Sequence, residues 1–191
     1  SQFQTVDQEA IAEVLGLKPE QVTFHTEMAG GGFGRRATPD SHVQREAAAI
    51  AKRLTGTPIK LVWTREDDVQ GGYYRPMHLH RVEIGVGANG MPRAWRHMIV
   101  GQSLLADTPF AVMIKDGIDA TAVEGVADTH YNFPNFHLFV HHPKVNVPVL
   151  WWRSVGHTHT AFVMETLIDE LAARAKTDPI AYRRRLLSPN A

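Results

Sequence analysis

The 191-residue sequence predicts an α+β fold in which helices pack on a mixed β-sheet. Apolar residues recur at helical spacing in two long stretches, residues 43–54 and 161–172. Residues 80–100 instead contain two runs that alternate between apolar and polar, as half-buried strands do. Asn89 and Gly90 lie between these runs, and Asn-Gly is a strong signal for a tight hairpin turn.

Helix and strand signals alternate over the first 64 residues. Residues 5–8 have the pattern of a capping box for a first helix, which Gly16 would end. Thr38 followed by a proline marks the start of a second helix, and the apolar run after each helix has the length of a short strand. The predicted elements are a helix over 5–16, a strand over 22–26, a helix over 38–54 and a strand over 58–64.

The rest of the chain predicts the hairpin, an irregular stretch, one more strand and two helices. Residues 104–126 lack periodicity and are interrupted by proline and glycine, so we expect a surface or cavity-lining excursion with short helices. Residues 135–142 alternate and predict a strand, and Asp178 before a proline starts the last helix. We expect one segment, 1–191, with candidate subdivisions 1–70 and 71–191.

Composition excludes several classes of function. Lys and Arg number 20 against 20 Asp and Glu, and this zero net charge argues against nucleic-acid binding. No apolar run reaches the roughly 20 residues of a membrane helix. The chain has no cysteine, so it holds no disulfide and no thiolate-bound iron–sulfur cluster. Residues 1–4 lack signal-peptide features, and we expect a piece of a longer polypeptide, periplasmic or cytoplasmic.

The glycine-rich stretch at residues 29–36 is the strongest candidate for a ligand-binding loop. Glycine tolerates positive φ and has no Cβ, so its backbone N–H groups can approach an anionic ligand closely. Arg35, Arg36 and the N-terminus of the following helix would add positive potential. The loop matches neither the P-loop nor the dinucleotide-binding pattern, which makes ATP and NAD poor candidates. A tight turn without a ligand remains the alternative.

Other constellations leave weaker alternatives open. Eleven histidines, including His78 with His80 and His157 with His159, suggest a metal site and a histidine-metal hydrolase, although no carboxylate lies at a complementary offset. We interpret these side chains as loop histidines flanking a cleft. The charged residues 65–68 fit either a solvated loop or an ionic latch beside a site.

Several motifs together resemble the xanthine dehydrogenase/aldehyde oxidase family. The Gly-Gly-Gly-Phe-Gly loop at residues 30–34 resembles its molybdopterin-binding signature, and the downstream motifs keep a similar order over nearly the whole chain. They are Arg-Glu-Asp at 65–67, Tyr-Asn-Phe-Pro-Asn at 131–135 and Trp-Trp-Arg-Ser-Val-Gly at 151–156. The last motif most resembles the branch of isoquinoline 1-oxidoreductase β subunits.

This resemblance implies the first half of a molybdenum cofactor-binding domain within a larger subunit. The parent enzyme would oxidise an N-heterocycle or an aldehyde with water as the oxygen source. Its cofactor would be molybdopterin with molybdenum, in a dinucleotide form. Iron–sulfur clusters would lie on a partner chain, and the family's glutamate base would lie downstream of this chain, so the chain alone is expected to be inactive.

The resemblance also assigns residues. Gln2 matches a glutamine that donates to a molybdenum oxo group, and Arg153 matches an arginine beside the metal and is the candidate catalytic residue. The family's purine-binding glutamate and arginine are missing at residues 36–38 and 122–127, so purine is not the expected substrate. A non-catalytic anion-binding or assembly module is the alternative of a different class. The implied cofactor-binding residues are Gln2, Gly31, Gly32, Phe33, Gly34 and Arg153, none of which would ligate the metal directly.

Overall fold

The computed structural model describes residues 1–187 and has the predicted α+β composition. The chain forms two compact units. The first comprises Ser1–Arg75 with Val147–Arg153, and the second comprises Pro76–Asn146 with the chain from Ser154 onward. The first boundary lies close to the expected division after residue 70, but residues 147–153 belong to the first unit.

The first unit consists of helices and irregular segments. Asp7 is 1% exposed and accepts hydrogen bonds from Ser41 Oγ at 2.6 Å and from Gln44 Nε2 at 3.0 Å. A buried carboxylate is costly unless it is hydrogen-bonded, so these contacts fix the first helix against the second. The helices are α1 (Gln4–Leu15), α2 (His42–Arg53) and α3 (Arg65–Gln70).

The capping box predicted for α1 and the start predicted for α2 are wrong, although Gly16 ends α1 at φ +72° as predicted. No capping box forms at residues 5–8, because Gln8 donates instead to the carbonyl groups of Pro19 and Val22 at 3.0 and 2.7 Å. Helix α2 begins at His42, four residues after Thr38, because Ser41 adopts φ +51°, which a helix cannot include.

Two predicted strands are also wrong. Residues 22–26 and 58–64 are irregular and pair with no strand among residues 1–187. A strand exists only where a neighbour satisfies its backbone groups, and apolar pattern alone does not supply that neighbour. Residues 65–68 begin α3 and are not a loop, because Thr64 and Asp67 form a capping box through contacts of 3.2 and 3.1 Å.

The second unit contains a three-stranded mixed sheet, as predicted. The predicted turn joins the first two strands, with Gly90 at φ +76°, and the register places Val82 opposite His97 and Ile84 opposite Trp95. The first pair is antiparallel and the second pair is parallel. The strands are β1 (His78–Val86), β2 (Pro92–Gly101) and β3 (Phe136–His141), in that order across the sheet.

Two helices, α4 (His157–Arg174) and α5 (Pro179–Leu186), enclose the core with the sheet. Asp178 caps α5 by accepting from the N–H of Ala181 at 2.9 Å, as its sequence predicts. None of the helices within residues 1–187 is long and apolar enough to cross a membrane. The fully buried side chains of this core include Trp95, Ile99, Val126, Ile168 and Tyr182.

The irregular stretch between β2 and β3 contains the expected short helices, Pro109–Met113 and Ala120–Ala122. Asp119, which is fully buried, organises it by accepting from Ser103 Oγ at 2.7 Å and from the N–H of Leu104 at 2.8 Å. Burial raises the pKa of Asp119, but these and further hydrogen bonds outweigh burial and lower it overall. The hydrogen-bonded carboxylate of Asp119 therefore holds this irregular stretch in place.

Candidate functional site

Residues 31–34 form a turn whose shape requires glycine. Gly31 has φ +112° and Gly34 has φ +81°, which side-chain-bearing residues rarely adopt. A Cβ atom on Gly32 would overlap Gln2 Oε1, and one on Gly34 would overlap the carbonyl oxygen of Trp151. Two other segments of the same chain, one at Gln2 and one at Trp151, therefore pack directly on the loop backbone.

Gln2 holds the loop from one side. Its backbone N–H donates to the carbonyl oxygen of Arg36 at 3.0 Å, and its Oε1 accepts from the N–H of Gly34 at 3.1 Å. Because Oε1 is engaged, the amide orientation is fixed and Nε2 is the end left for another partner. Nε2 makes no hydrogen bond within residues 1–187. This is the orientation that a donor role for Gln2 requires.

Residues 151–153 hold the loop from the other side. The N–H of Arg153 donates to the carbonyl oxygen of Phe33 at 2.8 Å, and the carbonyl oxygen of Arg153 accepts from the Arg75 guanidinium at 3.3 Å. Phe33 has φ +55° and is 53% exposed. An exposed aromatic residue in left-handed backbone is strained, and such strain concentrates at ligand sites.

The two arginines after the loop have different surroundings. Arg35 is 8% exposed, and its Nη2 lies 2.9 Å from Asp68 Oδ1. This pair is the ionic latch that the sequence left open, and it joins α3 to the loop. Arg36 is exposed and makes no ion pair among the described residues, so it is the arginine open to a ligand.

A pocket of about 520 Å³ opens beside the loop within the first unit. Gly31 and Gly32 line it, and their N–H groups make no hydrogen bond to residues 1–187. Together with Gln2 Nε2 and Arg36, they form a set of donors suited to oxo, phosphate or ring carbonyl oxygen atoms. The donor set and the open glycine backbone fit a molybdopterin. The other lining residues are Ser1, Glu27, Ala29, Arg35, Thr38, His42, Val43 and Gln44.

Sequence reasoning missed a polar cluster at this pocket. His42 Nδ1 lies 3.1 Å from Asp40 Oδ1. Burial raises the pKa of Asp40, but hydrogen bonds from His42 and Tyr73 outweigh it and hold that pKa at about 2. The ionised carboxylate therefore keeps the His42 proton on Nδ1. His42 Nε2 and Gln44 Oε1 are buried without a partner within residues 1–187. The Asp-x-His spacing before α2 is the only sequence signal for this cluster.

The histidines considered for a metal site are brought together only in part. In the second unit His80 contacts His97 and His159, and the ring of His78 stacks on that of His159 with centroids 3.6 Å apart. His157 Nδ1 instead lies 3.3 Å from a carboxylate oxygen of Glu124. Among residues 1–187, no group of three or more His, Cys, Asp or Glu could hold a metal ion. The described residues therefore offer no metal site that would support the histidine-metal hydrolase hypothesis.

The α+β fold and the glycine loop are both features of a molybdopterin-binding protein, and comparison with known families agrees. The family model described as the molybdopterin cofactor-binding domain matches residues 1–187. The chain therefore belongs to the molybdopterin cofactor-binding domain family, and the resemblance to xanthine dehydrogenases and aldehyde oxidases is confirmed.

Individual relatives are similar over nearly all of this chain. The isoquinoline 1-oxidoreductase β subunit of Brevundimonas diminuta is 29% identical over 96% of the chain and 23% of its own length. Quinoline 2-oxidoreductase of Pseudomonas putida 86 matches with a TM-score of 0.77 at 19% identity, covering 98% of this chain and 24% of that one. Aldehyde oxidoreductase of Desulfovibrio gigas matches with a TM-score of 0.69 at 24% identity, covering 93% of this chain and 19% of that one. The structures establish the fold alone, and the chain spans about a quarter or less of each protein.

Proposed function

We propose that this chain forms one wall of a molybdopterin site in a larger molybdenum hydroxylase. The enzyme would oxidise an aldehyde or an uncharged N-heterocycle with water as the oxygen source. The observation that carries the proposal is that Gln2, the glycine loop and Arg153 join in one hydrogen-bonded arrangement beside a pocket lined with donors. When bound, the cofactor would supply a redox-active molybdenum centre.

The residues of this chain would bind, orient and shield the cofactor. Gln2 donates from Nε2 to a cofactor oxygen, and its contact with Gly34 fixes the direction of that donation. The N–H groups of Gly31 and Gly32 donate to further oxygen atoms, and Arg36 offsets the negative charge of a phosphate. The exposed ring of Phe33 covers an adjoining face and excludes water from it.

Arg153 has two parts in this proposal. Its backbone N–H holds Phe33 in the left-handed conformation that turns the ring outward. Its side chain is exposed and is the candidate for touching the cofactor or substrate. The proton-abstracting glutamate would come from the rest of the large subunit.

Partner chains complete the proposed enzyme. Relatives carry names such as subunit β and molybdenum-binding subunit, which supports an assembly of several subunits. Since this chain has no cysteine, its electrons would leave through iron–sulfur clusters on a partner subunit. The dinucleotide form of the pterin belongs to the same proposal.

Two glycine variants of the full-length protein test the proposal. Gly32→Ala places a Cβ where it overlaps Gln2 Oε1, whereas Gly30→Ala places one in open space. We expect Gly32→Ala to lower the molybdenum and pterin content about tenfold or more, and Gly30→Ala to leave both unchanged. Wild-type protein that binds phosphate but contains no molybdenum would instead support the non-catalytic anion-binding module.

A further inference from the structure

Four rings in the second unit form a hydrogen-bonded row, which we call the histidine row. Trp95 Nε1 donates to His97 Nδ1 at 3.4 Å, and His97 Nε2 lies 2.8 Å from His80 Nδ1. His80 Nε2 in turn lies 2.8 Å from His159 Nδ1. Trp95 and His97 are 1% and 0% exposed. The row joins β2, β1 and the first turn of α4, and the proposed function does not use it.

The histidine row has a defined direction because an indole N–H can only donate. His97 Nδ1 must accept from Trp95, which puts the proton of His97 on Nε2. That proton is donated to His80 Nδ1, so His80 carries its own proton on Nε2 and donates it to His159. In this state all three imidazoles are neutral, and every contact pairs one donor with one acceptor.

One additional proton cannot enter the row without the loss of a contact. If His80 becomes charged, both of its nitrogens donate, so His97 must accept through Nε2 and carry its own proton on Nδ1. That proton then faces the indole N–H of Trp95, and the long 3.4 Å contact is lost. Charging either end of the row loses the same contact. Only the central ring has an imidazole acceptor on both sides, which gives two charge-assisted hydrogen bonds.

We propose that His80 is a one-proton acid switch, whose protonation reverses the tautomer of His97 and releases the indole N–H of Trp95. The released N–H is buried and loses its acceptor, which opposes protonation. The switch therefore stays neutral near pH 7 and responds to acid.

The surroundings of the histidine row also oppose protonation, because they lower the pKa values of its rings. Burial, followed by like-charge repulsion from the neighbouring His78, lowers the pKa of His80 to about 4. Burial likewise lowers the pKa of His97 to about 4, with His80 as the second cause. The other titratable groups nearby are His142 and Asp119 beside His78, and the pair of His157 and Glu124 at the start of α4.

Exchange of the histidine C2 hydrogen, followed by mass spectrometry, reports the protonation of individual rings in the full-length protein with a chelator present. We expect His80 to take the first proton of the row, at a pH well below the ordinary histidine pKa of about 6.5. The proposal is overturned if His97 or His159 is charged first, or if all three rings titrate independently near the ordinary histidine pKa.

Replacing the indole separates the switch from a merely buried histidine. Trp95→Phe removes the N–H whose release opposes protonation, so the pKa of His80 should rise by about one unit or more, a tenfold change in proton affinity. Trp63→Phe, at a half-buried tryptophan that donates to Glu46, is the matched control and should leave that pKa unchanged. An unchanged pKa of His80 in Trp95→Phe would contradict the proposal.

A second variant tests the release of the indole N–H. His80→Gln donates and accepts but does not titrate, so it should abolish the acid response of the Trp95 fluorescence. Persistence of that response would also overturn the proposal.

Discussion

Phe33 and Arg153 lie side by side although the sequence separates them widely, and one 2.8 Å hydrogen bond joins their backbones. Gln2 makes the corresponding contact with Gly34 from the opposite end of the first unit. The glycine loop therefore owes its shape to two distant segments as well as to its own glycines. Substitutions in either segment should affect the pocket, and the predictions below use this dependence.

Gln2→Glu should separate anchoring from donation. The new carboxylate can still accept from the N–H of Gly34, but it has no N–H group for a ligand. We expect kcat/KM of the full-length enzyme to fall by about a hundredfold, as for the loss of one preorganised donor, while molybdenum content changes little. Gln4→Glu, on an exposed residue that begins α1, is the control. Equal activities of the two variants would rule out a donor role for Gln2.

Asp68→Asn should destabilise the first unit by leaving the buried guanidinium of Arg35 without its counter-charge. Because Asp68 is half exposed, we expect about 1–3 kcal/mol, less than for a fully buried pair. Denaturant unfolding measures the loss. Glu66→Gln removes a charge from the same turn of α3 without touching Arg35 and should cost little. Similar losses for both variants would show that the latch contributes no specific stability.

Asp40 should make stability depend on pH in the acid range. Its pKa is about 2 in the folded protein and about 3.9 in an unfolded chain, so its contribution is complete above the unfolded value. That contribution is lost as the pH falls from about 4 through 2, because the carboxylate must take up a proton. Asp40→Asn should flatten this part of the stability curve. Asp107→Asn, at an exposed position, is the control, and an equally flattened curve for it would refute the assignment.

Gly90 and Gly117 provide a matched test of packing at the hairpin turn. Both have φ +76°, so alanine is equally strained in the backbone at either position. A Cβ on Gly90 would also lie 2.8 Å from the Cβ of Ala175, whereas one on Gly117 would meet nothing within 4 Å. We expect Gly90→Ala to lower the free energy of unfolding by about 1–2 kcal/mol more than Gly117→Ala. Equal losses would mean that backbone strain alone determines the cost.

Local signals predicted those elements whose stabilising contacts are themselves local. The hairpin follows from Asn89 and Gly90, and the start of α5 follows from Asp178, because each acts within a few residues. The predicted start at Thr38 failed because Ser41 is buried against Asp7, a residue of another helix. The strand predictions at 22–26 and 58–64 failed for a similar reason. Strand pairing depends on a neighbouring strand, which the periodicity of the sequence does not reveal.

The candidate site divides in the same way. The glycine loop was visible in the sequence, whereas Gln2 and Arg153 were assigned to it only through the family resemblance, and the structure brings all three together. The cluster of Asp40 with His42 was missed because its partner Tyr73 lies beyond α2. The sequence did not predict the histidine row, because its rings come from three elements and no sequence spacing relates them.

The backbone contact between Arg153 and Phe33 also sets an order of events during synthesis of the protein. Residues 30–34 leave the ribosome long before Arg153, the residue that holds Phe33 in place. At typical rates of about 5–20 residues per second, the loop waits several seconds for that support. A cofactor delivered to the nascent chain would meet an incomplete wall, so we expect loading of the proposed site to follow translation through Arg153.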